Sequence, residues 1–269
     1  MSRITACFQT LAEKKRKALV VYLVAGDPNP TVTVPMMHTM VARGASIIEL
    51  GFPFTDPEAE GPVIQLAHER AMQHRVSLRQ TMDMVEEFRE QDQTTPVVLM
   101  GYVNPIESMG HEAFSVRAAE AGVDGTILVN VPPEEGLVLD KAMIASGIDP
   151  IYLLAPTTLE ARAKMIFGRS RGFTYYVSLK GTTGAANINV DEVREKVSAF
   201  KQYATTPVVV GFGIKDGVSA AQVAQVSDGA VVGTALVSLM EAHQDDPEAM
   251  QQAVGDLIAE MRQAMDAVS

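Results

Sequence analysis

TTPVVLMG, residues 94–101, returns as TTPVVVGFG, residues 205–213, and this near-repeat sets the pattern of the chain. Each copy is a threonine pair and a proline followed by a β-branched apolar run that stops at glycine, the composition of a short strand with a turn behind it. The runs are apolar throughout and do not alternate, as expected of parallel strands covered on both faces. Working outward, the same kind of run recurs at residues 19–24, 46–51, 125–129, 150–154, 174–178 and 229–232, which with 96–102 and 207–212 makes eight. Helical stretches lie between them.

Strands alternating with helices imply right-handed βαβ units, and eight units without a long break in composition favour a closed barrel over an open sheet. The expected fold class is α/β: a single (β/α)8 TIM barrel over residues 1–269, with an extra N-terminal helix and an extra short helix after strand eight. Ile4, Cys7, Phe8 and Leu11 fall at helical spacing behind a candidate N-cap, Ser2. At the other end Asp246 precedes Pro247, and Met250, Val254, Leu257, Ile258, Met261 and Met265 form one apolar stripe that reads as core packing.

Composition removes several function classes. With 33 acidic against 22 basic residues the formal net charge is −11, which argues against a nucleic-acid partner. The basic cluster 14–17 reads as a solvated helix end. One cysteine, Cys7, allows no internal disulfide, and its apolar helical setting favours packing over nucleophilic chemistry. The longest apolar stretch, 18–26, is too short to span a bilayer, and no signal-peptide pattern opens the chain, so a soluble cytoplasmic protein without membrane association is expected. The five histidines form no metal-ligand spacing, and no nucleophile elbow or P-loop is present. No metal site is expected.

Sites in such barrels lie at the C-terminal ends of the strands. Two regions stand out there. In SIIELGFPFTDPEAEGPVIQ, residues 46–65, Glu49 sits inside an apolar strand, where desolvation of a carboxylate costs several kcal/mol unless it is paired or protonated. Proton transfer is one reading, a structural ion pair the other. The loop that follows carries Asp56, Glu58 and Glu60 among prolines and glycines, and its glycines suggest hinges for closure over a ligand. The second region combines KGTTGAAN from Lys180, GFGIKDG from Gly211 and VVGTALV from Val231. Glycines after three successive strands, with a helix opening at Gly233, point to a phosphate site.

The segment ELGFPFTDPEAEGPVIQ closely resembles the signature ELGxPFSDPxADGPxIQ of the tryptophan synthase alpha-subunit family. The resemblance extends to GDP at 26–28, GYVNP at 101–105, VPPEE at 131–135, FTYYVSLKGTTGA at 173–185, GFGI at 211–214 and VVGTAL at 231–236. It implies retro-aldol cleavage of indole-3-glycerol phosphate, without a cofactor, in an α2β2 complex whose beta subunit receives the indole. Under the resemblance Glu49 shuttles protons, Glu60 holds the indole N–H, and Tyr175 stands beside Glu49. Phe212, Tyr22, Met100 and Ile127 would contact the indole end of the substrate. Gly184, Gly213, Gly233 and Thr234 would hold the phosphate, with Thr183 closing onto the second carboxylate. Pro53, Asp56 and Pro132 would face the beta subunit.

Several positions depart from the family pattern. Glu60 replaces an aspartate, Glu58 an apolar residue, Asn130 an aspartate, Val24 a threonine and Thr234 a serine. Glu58 would be expected to raise the pKa of Glu60 by repulsion. The alternative that follows is a catalytically weakened subunit acting mainly as an activator of its beta partner.

Overall fold

The computed structural model describes residues 2–177, 190–211 and 213–268. All strand pairings are parallel, in the order β5-β4-β3-β2-β1-β9-β8-β7-β6. The strands are β1 Ala18–Val24, β2 Ile47–Gly51, β3 Val97–Gly101, β4 Gly125–Leu128, β5 Asp149–Ile151, β6 Leu153–Leu154, β7 Thr174–Val177, β8 Val208–Gly211 and β9 Gly229–Val232. Among the described residues nine segments stand where eight strands were expected, because the fifth is cut in two at Tyr152. β5 pairs with β4 and β6 with β7, so the two edges of the sheet are halves of one strand and the sheet closes on itself. The Tyr152 N–H leaves the ladder to donate to Ser170 Oγ at 3.0 Å, while its carbonyl accepts from the Tyr175 N–H at 3.1 Å.

Two apolar layers follow from the alternation of side chains along each strand. Leu19, Val21 and Leu23 of β1, with Ile48, Leu50, Val97 and Leu99, point outward beneath the helices. Ala18, Val20, Ile47, Val98, Ile127, Val209 and Val231 fill the interior. Helix α1, Arg3–Glu13, plugs the bottom: Ile4 and Leu11 join the interior cluster, and the Phe8 ring lies 6.0 Å from that of Phe173. Ser2 caps α1 by accepting the Thr5 N–H. Cys7 packs there too, its thiol pushed up to about 11 by burial, which removes it as a nucleophile. Lys14 and Lys15 are exposed, as a solvated helix end should be.

The outer helices are α2 Pro30–Ala42, α3 Pro62–Gln73, α4 Leu78–Arg89, α5 Val103–Met109, α6 His111–Ala121, α7 Leu137–Ala145, α8 Glu160–Arg169, α9 Val190–Lys201, α10 Gly217–Ala224, α11 Thr234–Ala242 and α12 Pro247–Asp266. The expected short helix after the last strand is α11. Asp246 caps α12, and five of the six predicted stripe residues are buried, with Leu257 packed at the margin. β2 and β3 are each followed by two helices; only Tyr102 separates β3 from α5, whereas the connection from β2 to α3 is a long loop that can carry functional groups. Among the described residues no helix is long and apolar enough to cross a membrane.

Candidate active site

The interior opens at the C-terminal ends of the strands into a cavity of about 440 Å³. Its wall carries Tyr22 from β1, Glu49 from β2, Met100 from β3, Tyr175 from β7 and Val231 from β9, with Glu60 and Gly61 closing one side.

Glu49 lies in register with Tyr22 on one side and Val98 on the other. It occupies an inward position and is 1% exposed. Among the described residues its Oε1 has no hydrogen-bond partner and the carboxylate is in no ion pair, so the structural reading of it is not realised there. Burial first, and the neighbouring Glu60 second, push its pKa up to about 8. At neutral pH Glu49 therefore holds a proton that it can both give and take back. Glu60 belongs to the loop before α3. Shielding of its carboxyl from water raises it to about 7, so it ionises before Glu49. Tyr175 is pushed well above the usual tyrosine range, by burial and then by Glu49 and Glu60, and acts only as a neutral hydroxyl.

The loop between β2 and α3 is anchored along much of its length. Phe52 and Pro53 are buried, the Phe54 ring stacks on Tyr102 with centroids 4.9 Å apart, and the Ala59 N–H donates to Tyr102 Oη at 2.9 Å. Gln65 Nε2 donates to the Glu60 carbonyl at 2.9 Å. Gly51 is not a hinge here: a Cβ on it would collide with the Tyr22 phenol, so the residue is small to let that ring pass. Gly61 has open space around it and starts α3.

Glu58 does not act on Glu60 as expected. It is exposed, and its charge is felt at the Tyr102 hydroxyl instead. Asn130 caps α5: its Oδ1 accepts the Val103 N–H at 2.9 Å and its Nδ2 donates to Asn104 Oδ1 at 3.2 Å. An aspartate could supply the first bond and not the second. Val24 is buried beside Tyr22, Ala67 and Val237, where a hydroxyl would need a partner.

The same cavity is lined by Gly213, Gly233, Thr234 and Ala235. Gly213 has φ +42, a backbone state that favours glycine. Helix α11 starts at Thr234 with Gly233 at its N-cap and no side-chain cap, so its first amides and dipole are available to an anion. Lys215 and Ile214 line the same end. Lys215 was missed by the sequence reading, since an exposed lysine in a loop carries no signal of its own. Ile64 and Val177, also in the wall, were missed for the same reason that any apolar residue is anonymous in a buried pattern.

The structure thus brings together Tyr22, Glu49, Glu60, Met100, Tyr175, Gly213, Gly233 and Thr234. Ile127 is the register partner of Met100, but it has no exposed surface and packs in the interior cluster without lining the cavity. Phe212, Thr183 and Gly184 lie outside the described residues. Of the three interface candidates, Asp56 is exposed, Pro132 half-buried and Pro53 buried within the chain.

The family model described as tryptophan synthase alpha chain matches residues 8–266. A tryptophan synthase alpha chain from Thioalkalivibrio sulfidiphilus is 58% identical over 99% of this chain and 100% of its own length. One from Marinobacter nauticus is 54% identical over the whole of both. The crystal structure of tryptophan synthase subunit alpha from Legionella pneumophila superposes with a TM-score of 0.94 at 43% identity, covering 99% of each chain.

Proposed function

The chain belongs to the tryptophan synthase alpha chain family, and from that membership and the paired acids at the barrel mouth we propose that it cleaves the carbon–carbon bond of indole-3-glycerol phosphate by a retro-aldol reaction. The observation that carries the reading is Glu49: a buried carboxyl whose Oε1 is unpartnered among the described residues and whose pKa is raised by burial, in a cavity that also holds Glu60 and the uncapped start of α11.

Protonated Glu49 gives its proton to the ring carbon that bears the glycerol chain, which places positive charge on the ring. Ionised Glu60 accepts a hydrogen bond from the indole N–H and offsets that charge. Glu49, now a carboxylate, takes the proton of the adjacent glycerol hydroxyl as the carbon–carbon bond breaks. The bonding pair returns to the ring, the hydroxyl carbon becomes the aldehyde of glyceraldehyde 3-phosphate, and Glu49 ends protonated as it began. Met100 and Tyr175 pack the ring, with Phe212 added from the family pattern. The phosphate binds at Gly213, Gly233 and Thr234, with Gly184 and Thr183 assigned by resemblance alone. No cofactor is needed for any of these steps.

Residues 1–269 act as one barrel unit in the cytoplasm, joined to a tryptophan synthase beta subunit in an α2β2 assembly. The loops carrying Asp56 and Pro132 supply the docking face, and Pro53 shapes it from within. That Glu60 shares the cavity with Glu49, with a pKa raised to about 7, favours an active enzyme over an activator alone. Purified chain with a beta subunit is expected to release indole, and Glu49→Gln to abolish release while melting as a folded protein; near-normal turnover by that variant would sink the proposal. Glu60→Asp is expected to give no gain, since Glu60 already lines the cavity with Glu49.

A further inference from the structure

His68 plays no part in the steps above. It lies on α3, 1% exposed, with both ring nitrogens directed at groups from other elements. Nδ1 is 3.2 Å from the Phe54 amide nitrogen in the loop that leads to Glu60. Nε2 is 3.4 Å from the Tyr22 hydroxyl on β1. A backbone amide can only donate, so Nδ1 is the acceptor and carries no proton. The proton of the neutral ring is then on Nε2, and it is donated to Tyr22 Oη. Burial lowers the pKa of His68 to about 4, which keeps the ring neutral.

The Tyr22 hydroxyl therefore accepts from His68 and must direct its own proton elsewhere. Tyr22 lines the cavity and sits opposite Glu49 in the β1–β2 register. Burial, and after it the charges of Glu60 and Glu49, hold the Tyr22 hydroxyl well above the usual tyrosine range, so it stays protonated. We propose that His68 is a positioning residue which, held by the Phe54 amide, turns the Tyr22 O–H toward the Glu49–Glu60 pair. A donor aimed at a carboxylate favours its charged form. Among the described residues Tyr22 Oη is bonded to His68 and to neither acid, and Glu49 Oε1 is unpartnered; the donor is taken up once Glu49 has given its proton to the ring, and Tyr22 then stabilises that carboxylate until it takes the hydroxyl proton. The role rests on the lyase reading of the site, whereas the direction of the hydrogen bonds does not.

The test has two arms on the full-length chain. NMR of the unliganded protein labelled with 15N-histidine is expected to show His68 protonated on Nε2 and bare on Nδ1 from about pH 5 to about pH 8. A proton on Nδ1, or titration near the ordinary histidine range, overturns the proposal. In the second arm, indole release from indole-3-glycerol phosphate is followed with a beta subunit present. Tyr22→Phe is expected to lower kcat about 5-fold, the worth of one hydrogen bond, with little change in KM. His68→Asn keeps an acceptor for the Phe54 amide and loses the donor to Tyr22, so it should lower kcat equally. His68→Gln, whose amide nitrogen reaches the Nε2 position but which leaves the Phe54 amide without its acceptor, should recover part of the loss. The pair Tyr22→Phe with His68→Asn should lose no more than either alone. Losses that multiply, or a loss in His68→Asn without one in Tyr22→Phe, overturn it. Failure of the unaltered chain to release indole would refute the lyase reading and the catalytic role with it, and the NMR arm would still decide the hydrogen-bond direction.

Discussion

The Tyr175 phenol on β7 fills the space that a side chain at Gly211 on β8 would need, with a Cβ there falling 2.5 Å from Cε1 of the ring. Gly51 makes the same room for Tyr22, and Gly101 for Phe52. Glycine at the end of a strand thus lets an aromatic lie over it: Tyr175 and Tyr22 form cavity wall, and Phe52 packs in the outer layer. Gly211→Ala must displace Tyr175, which shares the cavity wall with Glu49. Since misplacement of a catalytic group by about 1 Å can cost on the order of 100-fold in rate, kcat/KM for indole release is expected to fall by about that factor while the circular dichroism stays that of the unaltered protein. Unchanged kinetics would show that the placement of Tyr175 is immaterial.

The acid at the centre of the site also makes stability depend on pH. Folding raises the Glu49 pKa from an ordinary value near 4.5 to about 8, so the native state binds this proton more tightly than the unfolded chain does. The resulting stabilisation is full below about 4.5 and is lost as pH rises through about 8. Glu49→Gln keeps the shape and abolishes the ionisation. Urea unfolding is expected to find the two proteins alike near pH 5 and the variant more stable at about pH 9, by an amount on the order of a few kcal/mol. Parallel stability curves across that range would contradict a buried, unpaired acid.

The strands were legible because their apolar runs are continuous, and Glu49 was legible because it interrupts one. The break at Tyr152 was not, since its cause is a bond to Ser170 Oγ, made 18 residues away, which no local pattern announces. Glu58 and Glu60 look equivalent in sequence. They differ because the Tyr102 hydroxyl holds the intervening Ala59 amide, leaving Glu58 exposed and Glu60 in the cavity wall. Gly51 read as a hinge for want of any sequence sign that Tyr22 from another strand lies against it. His68 gave no signal for the same reason: its partners, Phe54 and Tyr22, meet it only in the folded chain.

Lys215 is the only cation among the described lining residues of the cavity. In a chain of formal net charge −11, a phosphorylated substrate approaches against the overall field, and a positive group at the phosphate end favours its capture. The ammonium is exposed, so its effect is modest and screened by salt. Lys215→Ala is expected to raise KM about 3-fold at low ionic strength, to approach the unaltered protein in high salt, and to leave the melting temperature unchanged. A salt-independent effect would assign Lys215 a packing role instead.

At the opposite end of the barrel Asp124 binds together elements that the active face depends on but never touches. Its carboxylate accepts from Arg89 Nη2 at 2.7 Å, from Arg3 Nη1 at 3.0 Å and from the Val97 N–H at 2.8 Å, joining α4, α1 and β3. Arg89 is buried, and its other donors go to the Gly122, Asp92 and Thr95 carbonyls, so they cannot neutralise its charge. Removing the carboxylate leaves that charge unpaired, which costs about 3–5 kcal/mol for a buried pair. Asp124→Ala is therefore expected to melt on the order of 10 °C below the unaltered protein. At 25 °C, where the variant is still folded, kcat should be unchanged, because the bottom of such a barrel serves stability and the top serves chemistry. A normal melting temperature would mean that Arg89 is solvated and the ion pair adds nothing. A lowered kcat in the folded variant would mean that the two faces are coupled through β3.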